Sequence, residues 1–349
     1  MQRIRLLAAL TVLAASFAVL ALCGGQPVTR AGSDDAAISE KAPAKSPYDL
    51  AVLARYRRQR QALTAAVQAY FDKAIASGEI VGAGVSIVQG DSILLSAGYG
   101  SRNRLADDRV DGQTIFRLGS LSKGFTGILA AGLVAEGKLD WTDRVVDYLP
   151  DFRLGNATNT EQITLAHLLS HSSGAPYHSF TNLIEGGMPL PEIAGHFREV
   201  SPVSAPGSMY SYQNALFALS GEMMRAVTGQ DIDQMLEERF FKPLGMATAV
   251  TDFESLAQAE NVALPHVKWR KGWKPKKLNH SYYNAVAAGG INASSMDMAR
   301  WMRFLLGHNP EIMSKTALSR AFEPAIQIKG RAKYYHRWRG HVASYYGFG

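Results

Sequence analysis

The sequence has 349 residues, of which 47% are apolar and 19% charged. That length leaves room for about two domains or one large one, and it is enough to bury a core without disulfide or metal support. A chain this apolar, with 32 glycines and 14 prolines spread along it, is not a disordered, collagen-like or coiled-coil protein. Lysine and arginine outnumber the acidic residues by 37 to 30, and this net charge of +7 favours anionic neighbours.

The first 22 residues are predicted to be an export signal. Arg3 and Arg5 precede an apolar run over residues 6–22, and two glycines follow Cys23. This pattern is typical of a signal peptide, so we expect an exported, periplasmic or extracellular protein. In two alternatives the protein stays on the membrane, through an uncleaved signal or through lipidation of Cys23, which is the only cysteine. Residues 23–47 are small, polar and proline-bearing, which predicts a flexible tether.

The elements that follow indicate an α+β protein. Apolar residues at helical spacing predict a first helix over residues 48–77, ended by Gly78. Two β-like runs at 83–88 and 92–97 predict a hairpin. From about residue 120 to 250 the pattern is helical. A strand pair followed by a helical block favours α+β layers over a regular alternation of strands and crossover helices.

The only Ser-x-x-Lys sequence in the chain is Ser120-Leu121-Ser122-Lys123. A long apolar helical run follows it, so Ser120 is expected to open a helix and to share one helix face with Lys123. A partly desolvated lysine near a helix N-terminus can lose its proton near neutral pH and then take one from the serine. The alternative is an N-cap serine followed by a solvated lysine, and this motif alone favours that interpretation.

A second motif, Tyr212-x-Asn214, follows the turn signal Pro206-Gly207 and precedes another helical run. A phenol can pass a proton to a leaving amine, and a carboxamide can hold a substrate peptide group. Residues 282–284, Tyr-Tyr-Asn, fit the same spacing, but we interpret Tyr282 as part of an aromatic strand edge.

Together these motifs resemble the serine β-lactamase and penicillin-binding-protein superfamily, and most closely its branch of class C β-lactamases, D-alanyl peptidases and esterases. Further matches, in family order, are Phe116 and Gly119, His167-Leu168-Leu169-x-His171-x-Ser173-Gly174, Pro243-Leu244-Gly245-Met246, Ala288-Gly289-Gly290 and Asp297-Met298-Ala299. The resemblance implies one β-lactamase-like α+β domain over residues 48–349. It would have an antiparallel sheet flanked by helices and an all-helical lobe over about residues 120–250.

The resemblance also implies a role for each matching residue. Ser120 would be the acylated nucleophile, Lys123 its activating partner and Tyr212 a proton relay. Asn214 would contact the side-chain amide of the substrate. The backbone N–H of Ser120 would supply half of the oxyanion hole.

The third motif of the family, a Lys-Thr-Gly or His-x-Gly on a strand, is absent. Lys315-Thr316-Ala317 and His341-Val342-Ala343 both lack the glycine, and the sequence stops at Tyr346-Gly347-Phe348-Gly349, which looks like the strand before that motif. We therefore expect the C-terminal strands and helix to be missing, either because the sequence is a fragment or because the protein is natively truncated.

Two other features have residue patterns that can form binding sites. His167 and His171 have the i, i+4 spacing of a zinc pair, but Leu168 stands where that motif needs a glutamate, so we interpret them as structural and expect no metal or other cofactor. Cations and aromatic residues mix over residues 268–277 and 331–341, which is typical of a solvated surface hairpin. As a partner of these runs, an anionic cell-wall polymer or membrane surface suits an exported monomer better than nucleic acid.

The sequence thus predicts an exported serine hydrolase that cleaves an amide, in a β-lactam or a D-alanyl peptide, through an acyl-enzyme on Ser120. An esterase of the same fold is one alternative, since serine, lysine and tyrosine suffice for ester cleavage. A catalytically inactive envelope-binding homologue is another, because the third motif is not found.

Overall fold

The computed structural model describes residues 47–270, 272–329 and 343–349. The expected signal peptide, Cys23, nearly all of the tether and the basic run at 331–341 lie outside these residues. The chain divides into two compact units after Leu53, and of the first unit only a stretch of helix is described. The sheets, the core and the site described below all belong to the second unit, Ala54–Gly349.

The helices are α1 (Pro47–Ala76), α2 (Ser122–Ala135), α3 (Val145–Tyr148), α4 (Ala157–Gln162), α5 (Leu165–Leu169), α6 (Thr181–Glu185), α7 (Leu190–His196), α8 (Asn214–Thr228), α9 (Ile232–Leu236), α10 (Lys242–Leu244), α11 (Phe253–Gln258), α12 (Val286–Gly289), α13 (Ser295–Leu305) and α14 (Lys315–Ala321). The strands are β1 (Gly82–Gln89), β2 (Ser92–Asn103), β3 (Asp108–Arg109), β4 (Ile115–Arg117), β5 (His266–Trp269), β6 (Gly272–Pro275), β7 (Asn292–Ser294), β8 (Ile326–Ile328) and β9 (Ser344–Tyr346). No helix in the described ranges combines the length and the apolar character needed to cross a membrane.

The first helix and the first hairpin form as their local signals predict. Gly78 follows α1 with φ +69°, a conformation that glycine adopts without the clash a Cβ would bring. β1 and β2 pair antiparallel around Gly90, also at positive φ. β2 continues six residues beyond the predicted end, to Asn103, because it goes on to pair with β3.

The strands form small antiparallel sheets rather than one continuous one. The described residues give a three-stranded sheet β1-β2-β3 and three pairs, β4-β7, β5-β6 and β8-β9. In the pair β4-β7, Ile115 lies opposite Ser294 and Arg117 opposite Asn292. This ladder fixes the chain just before Ser120 against the segment that follows α12, so residues far apart in sequence meet at one place.

The core is built around α2. Phe125, Leu129 and Leu133 have no exposed surface, and the ring of Phe125 stacks on Trp301 with 4.0 Å between centroids. Such a stacked pair contributes about 0.5–1.5 kcal/mol beyond its burial. α8, α12 and α14 pack against α2. Every regular element described between β4 and β5 is helical, so the predicted α+β class with a helical lobe is confirmed.

Candidate active site

Ser120 lies at the start of the central helix, as predicted. It sits in a 3₁₀ turn, Gly119–Leu121, that runs directly into α2. Gly119 enters this turn with φ +54°. The serine itself is exposed, while Ser122 and Lys123 behind it are buried. The turn therefore presents a hydroxyl to solvent above a polar group that the core encloses.

Lys123 is a buried lysine, not a solvated one. Its side chain is 1% exposed, and its Nζ lies 3.5 Å from Ser120 Oγ. The ammonium donates to Asn214 Oδ1 at 2.8 Å and to the carbonyl oxygen of Ala288 at 2.7 Å. Burial lowers the pKa of Lys123 to about 7, because water no longer solvates the charged form. The alternative of an exposed lysine beside an N-cap serine is wrong.

Tyr212 completes the group around the nucleophile. Its hydroxyl donates to Ser120 Oγ at 2.8 Å, and its ring centre lies 4.8 Å from Lys123 Nζ. The imidazole of His171 packs against this ring, with 4.2 Å between centroids, and His178 lies 5.2 Å away. The serine oxygen is thus within reach of the phenol of Tyr212, 92 residues away in sequence, and of the amine of Lys123, three residues away.

Asn214 is the first residue of α8 and is buried. Its Oδ1 accepts from Lys123, and its Nδ2 donates to Thr181 Oγ1 at 3.3 Å and to the hydroxyl of Tyr282 at 3.2 Å. The structure therefore shows the carboxamide as a partner of the lysine. Contact between Asn214 and a substrate amide stays a prediction.

The two histidines of the i, i+4 pair serve local structure. Nδ1 of His167 accepts from the N–H of Thr164 in the capping box of α5. Nδ1 of His171 accepts from the N–H of Gln213, and His171 has φ +56°. Burial holds the pKa of His171 well below its usual range, and the charge of Lys123 adds to this shift. In the ranges that the structure describes, no three His, Cys, Asp or Glu side chains group as metal ligands would.

The interpretation of Tyr282 as a strand edge is wrong. Residues 281–284 form a turn, Tyr282 has φ +73°, and its hydroxyl reaches the site through Asn214. Two sequence signals pointed here, namely the second Tyr-x-Asn match and the Ala288-Gly289-Gly290 motif just beyond it. Neither could show that the turn folds back onto α6, because that contact joins segments about 100 residues apart.

One of the two candidate third motifs lies among the described residues, and it forms part of a helix. Lys315, Thr316 and Ala317 begin α14 and are not on a strand. His341 and Val342 lie outside the described residues. β9 ends at Tyr346, and the backbone of Phe348 then packs against α2 at Gly127.

The site has one exposed serine at the N-terminus of a central helix, with a buried lysine and a tyrosine beside its hydroxyl. In an α+β fold, this arrangement defines the class of β-lactamase-fold proteins. The chain belongs to the Beta-lactamase family, whose sequence profile matches residues 67–335.

The individual relatives of this chain are named for several different activities. The chain is 29% identical over 257 residues to the unguisins hydrolase ungD' of Aspergillus campestris, a match that covers 69% of this chain and 46% of the relative. It is 32% identical over 222 residues to the esterase EstB of Burkholderia gladioli, covering 58% of this chain and 55% of the relative. The chain thus spans about half the length of these relatives.

The fold also matches solved structures. The octameric penicillin-binding protein homologue from Pyrococcus abyssi superposes with a TM-score of 0.70 and 23% identity, covering 82% of this chain and 64% of the other. At this identity the likeness establishes the fold.

Proposed function

We propose that this protein is a serine hydrolase that opens an amide or ester bond by forming an acyl-enzyme on Ser120. The observation that carries the proposal is the position of Ser120 Oγ, which lies 2.8 Å from the hydroxyl of Tyr212 and 3.5 Å from Nζ of Lys123. A serine hydroxyl is a weak nucleophile until a neighbouring base removes its proton. With its pKa lowered to about 7, Lys123 is partly neutral near neutral pH and can act as that base.

The chemistry follows from these contacts. Neutral Lys123 takes the proton of Ser120, directly or through the phenol of Tyr212, as Oγ forms a bond to the substrate carbonyl carbon. The tetrahedral intermediate then expels its amine or alkoxide, which receives a proton through Tyr212. Water attacks the resulting ester by the same route in reverse, releasing the acid and restoring Ser120. The helix N-terminus at Ser120 favours the negative charge that develops on the attacked oxygen.

The leading substrate class is an amide, either a β-lactam or a D-alanyl peptide. Membership of the Beta-lactamase family supports it, as does the penicillin-binding protein homologue that shares the fold. An ester is the second candidate, because the relative EstB is named an esterase and esters need less help from the leaving-group proton.

Covalent labelling tests the proposal. We expect a fluorescent penicillin to label the wild type and Ser92→Ala, an exposed serine in the first hairpin, but not Ser120→Ala. Label that survives in Ser120→Ala would exclude Ser120 as the nucleophile. If penicillin does not label the wild type but a short-chain ester is turned over only when Ser120 is present, the protein is an esterase. Failure of both reactions would leave the inactive envelope-binding alternative.

We propose in addition that the protein is exported and that its β5-β6 hairpin meets an anionic membrane surface. A surface hairpin was predicted over residues 268–277, and β5 and β6 pair antiparallel over residues 266–269 and 272–275, so residues 276 and 277 lie beyond its end. One face is tied to the domain, since Trp273 Nε1 donates to the carbonyl oxygen of Gly78 at 2.9 Å. On the other face the side chain of Trp269 is 60% exposed, and the ammonium of Lys274 lies 5.5 Å from its ring centre.

The N-terminal pattern of basic, apolar and small residues supports export. Fractionation of a Gram-negative host that expresses the full chain tests it, with recovery in the cytoplasm as the contrary result. A Cys23→Ser variant that leaves the membrane would support lipid anchoring, and one that stays equally bound would exclude it.

A further inference from the structure

We propose that Tyr282 is a positioning residue that holds the carboxamide of Asn214 with its oxygen, not its nitrogen, facing Lys123. The structural part of this inference stands on geometry alone, and its catalytic consequence rests on the proposed function.

The hydrogen bonds around Asn214 leave one arrangement of its amide. Nδ2 has two hydrogens, and two acceptors face it, the hydroxyl of Tyr282 at 3.2 Å and Oγ1 of Thr181 at 3.3 Å. With both hydrogens used, Oδ1 points at Lys123 and accepts from its ammonium at 2.8 Å. A reversed amide would set N–H groups against the ammonium, donor against donor.

The turn that carries Tyr282 is held from two sides. On the α6 side, Ser281 Oγ donates to the carbonyl oxygen of Glu185, and Asn284 Nδ2 donates to that of Met188 at 2.7 Å. On the other side Arg117 of β4 donates to the backbone oxygen of Ser281. Tyr282 itself has φ +73°, which is unfavourable for a bulky residue and persists only where its surroundings impose it. The strain therefore marks a position that the fold maintains.

Gly289 makes room for the tyrosine ring. A Cβ on Gly289 would lie 2.7 Å from Cδ1 of Tyr282, closer than real Cβ atoms approach, and 3.1 Å from its Cγ, which is also a tight contact. The ring thus lies close to Gly289 of α12, and the preceding residue of that helix, Ala288, gives Lys123 its other carbonyl contact. The end of α12 therefore contacts both Lys123 and Tyr282, the residue that orients the carboxamide of Asn214.

Few charged groups among the described residues act on the pKa of Lys123. His171, which follows α5, and His178, which precedes α6, both interact electrostatically with Lys123. Burial lowers the pKa of both imidazoles, so both are neutral at neutral pH. Burial together with Glu185 of α6 raises the pKa of Tyr282 to about 12, so its phenol keeps its proton. Glu185 lies 3.5 Å from that hydroxyl and accepts from it. Tyr212 contacts Lys123 through its ring.

The consequence for Lys123 has a definite sign. An oxygen that accepts from the ammonium stabilises the charged form and raises the pKa of the lysine relative to burial alone. Tyr282→Phe removes one of the two acceptors that fix the amide, so we expect the pKa of Lys123 to fall further, by about half a unit.

The first experiment needs no substrate. The full-length protein with ¹³C-labelled lysines is titrated by NMR, with the Lys123 signal assigned by its loss in Lys123→Met. We expect Tyr282→Phe to lower the midpoint and Tyr283→Phe, the neighbouring tyrosine whose hydroxyl contacts Asn292 instead, to leave it unchanged. Equal midpoints in Tyr282→Phe and the wild type would overturn the proposal.

Gly289→Ala gives a second variant, because its added methyl group displaces the ring of Tyr282 while the tyrosine keeps its hydroxyl. We expect the same downward shift as in Tyr282→Phe. A shift in Gly289→Ala alone would mean that ring packing, and not the hydroxyl, governs the site, and this too would overturn the proposal.

The kinetic readout separates this inference from the proposed function. If Ser120 is acylated, the acid limb of the pH–rate profile of Tyr282→Phe should shift to lower pH together with the NMR midpoint. We expect kcat of this variant to be about tenfold lower and its KM to be nearly unchanged. If the wild type is not acylated, the proposed function fails, whereas the NMR titration still decides whether Tyr282 orients the carboxamide.

Discussion

At the scale of single residues, the pKa of Lys123 sets the pH range of activity. The burial that lowers it to about 7 means that below this pH the lysine is protonated and cannot take the proton of Ser120. We expect the acylation rate to rise with pH through about 7 and to level off above it. Lys123→Met should lose this rise along with most of the rate, whereas Lys138→Met, at an exposed lysine paired with Glu136, should keep both. A wild-type rate that does not change between about pH 5 and 9 would contradict the base role.

The same lysine makes folding stability depend on pH. Its pKa is about 7 in the folded protein and about 10.4 in the unfolded chain, so between these values the unfolded chain binds more protons. The free energy of unfolding should therefore rise with pH in this window, by up to about 1.4 kcal/mol per unit. Denaturant unfolding of the wild type against Lys123→Met measures the difference. Parallel pH profiles for the two proteins would show that the lysine is not desolvated.

At the scale of elements, local signals were sufficient where the chain needs only its neighbours. The glycine at 78 and the turn around Gly90 predicted a helix end and a hairpin, because positive φ is a local requirement that glycine meets. Ser120 and Lys123 could be paired from their spacing in a helix. The turn at Tyr282 could not be predicted, since a tyrosine at positive φ contradicts local preference and is held by contacts with α6 and β4.

Two glycines of α2 provide a matched test of helix packing. A Cβ on Gly127 would meet the carbonyl oxygen of Phe348, whereas a Cβ on Gly124 would meet nothing within 4 Å. We expect Gly124→Ala to stabilise the protein by about 0.5–1 kcal/mol through helix propensity, and Gly127→Ala to destabilise it by about 1–3 kcal/mol through overpacking. Thermal unfolding of the two variants measures this, and equal melting temperatures would show that residues 347–349 do not pack on α2 as described.

At the scale of the whole molecule, composition indicated an excess of positive charge but not its location. The segment from residue 261 to 296 contains no acidic residue, while the β5-β6 hairpin within it carries Lys268, Arg270 and Lys274. Trp273 lies on the tied face, where the ammonium of Lys268 is 5.7 Å from its ring centre, so the outer face carries Trp269 and Lys274. A tryptophan among cations is suited to the boundary between headgroups and acyl chains of an anionic membrane.

This arrangement predicts salt-sensitive binding to vesicles that contain phosphatidylglycerol, and little binding to phosphatidylcholine alone. Each basic residue near such a surface contributes about 1 kcal/mol, so Lys274→Glu should weaken sedimentation with the vesicles severalfold, and Trp269→Ser should add to that loss. Lys242→Glu makes the same charge change at an exposed lysine outside the hairpin, paired with Glu237, and should bind almost as the wild type does.

At about 1 M salt, where screening acts within about 3 Å, the binding to the vesicles should disappear. Equal losses in Lys274→Glu and Lys242→Glu would indicate net charge rather than the hairpin, and retention on isolated cell wall without vesicle binding would identify the wall polymer as the partner.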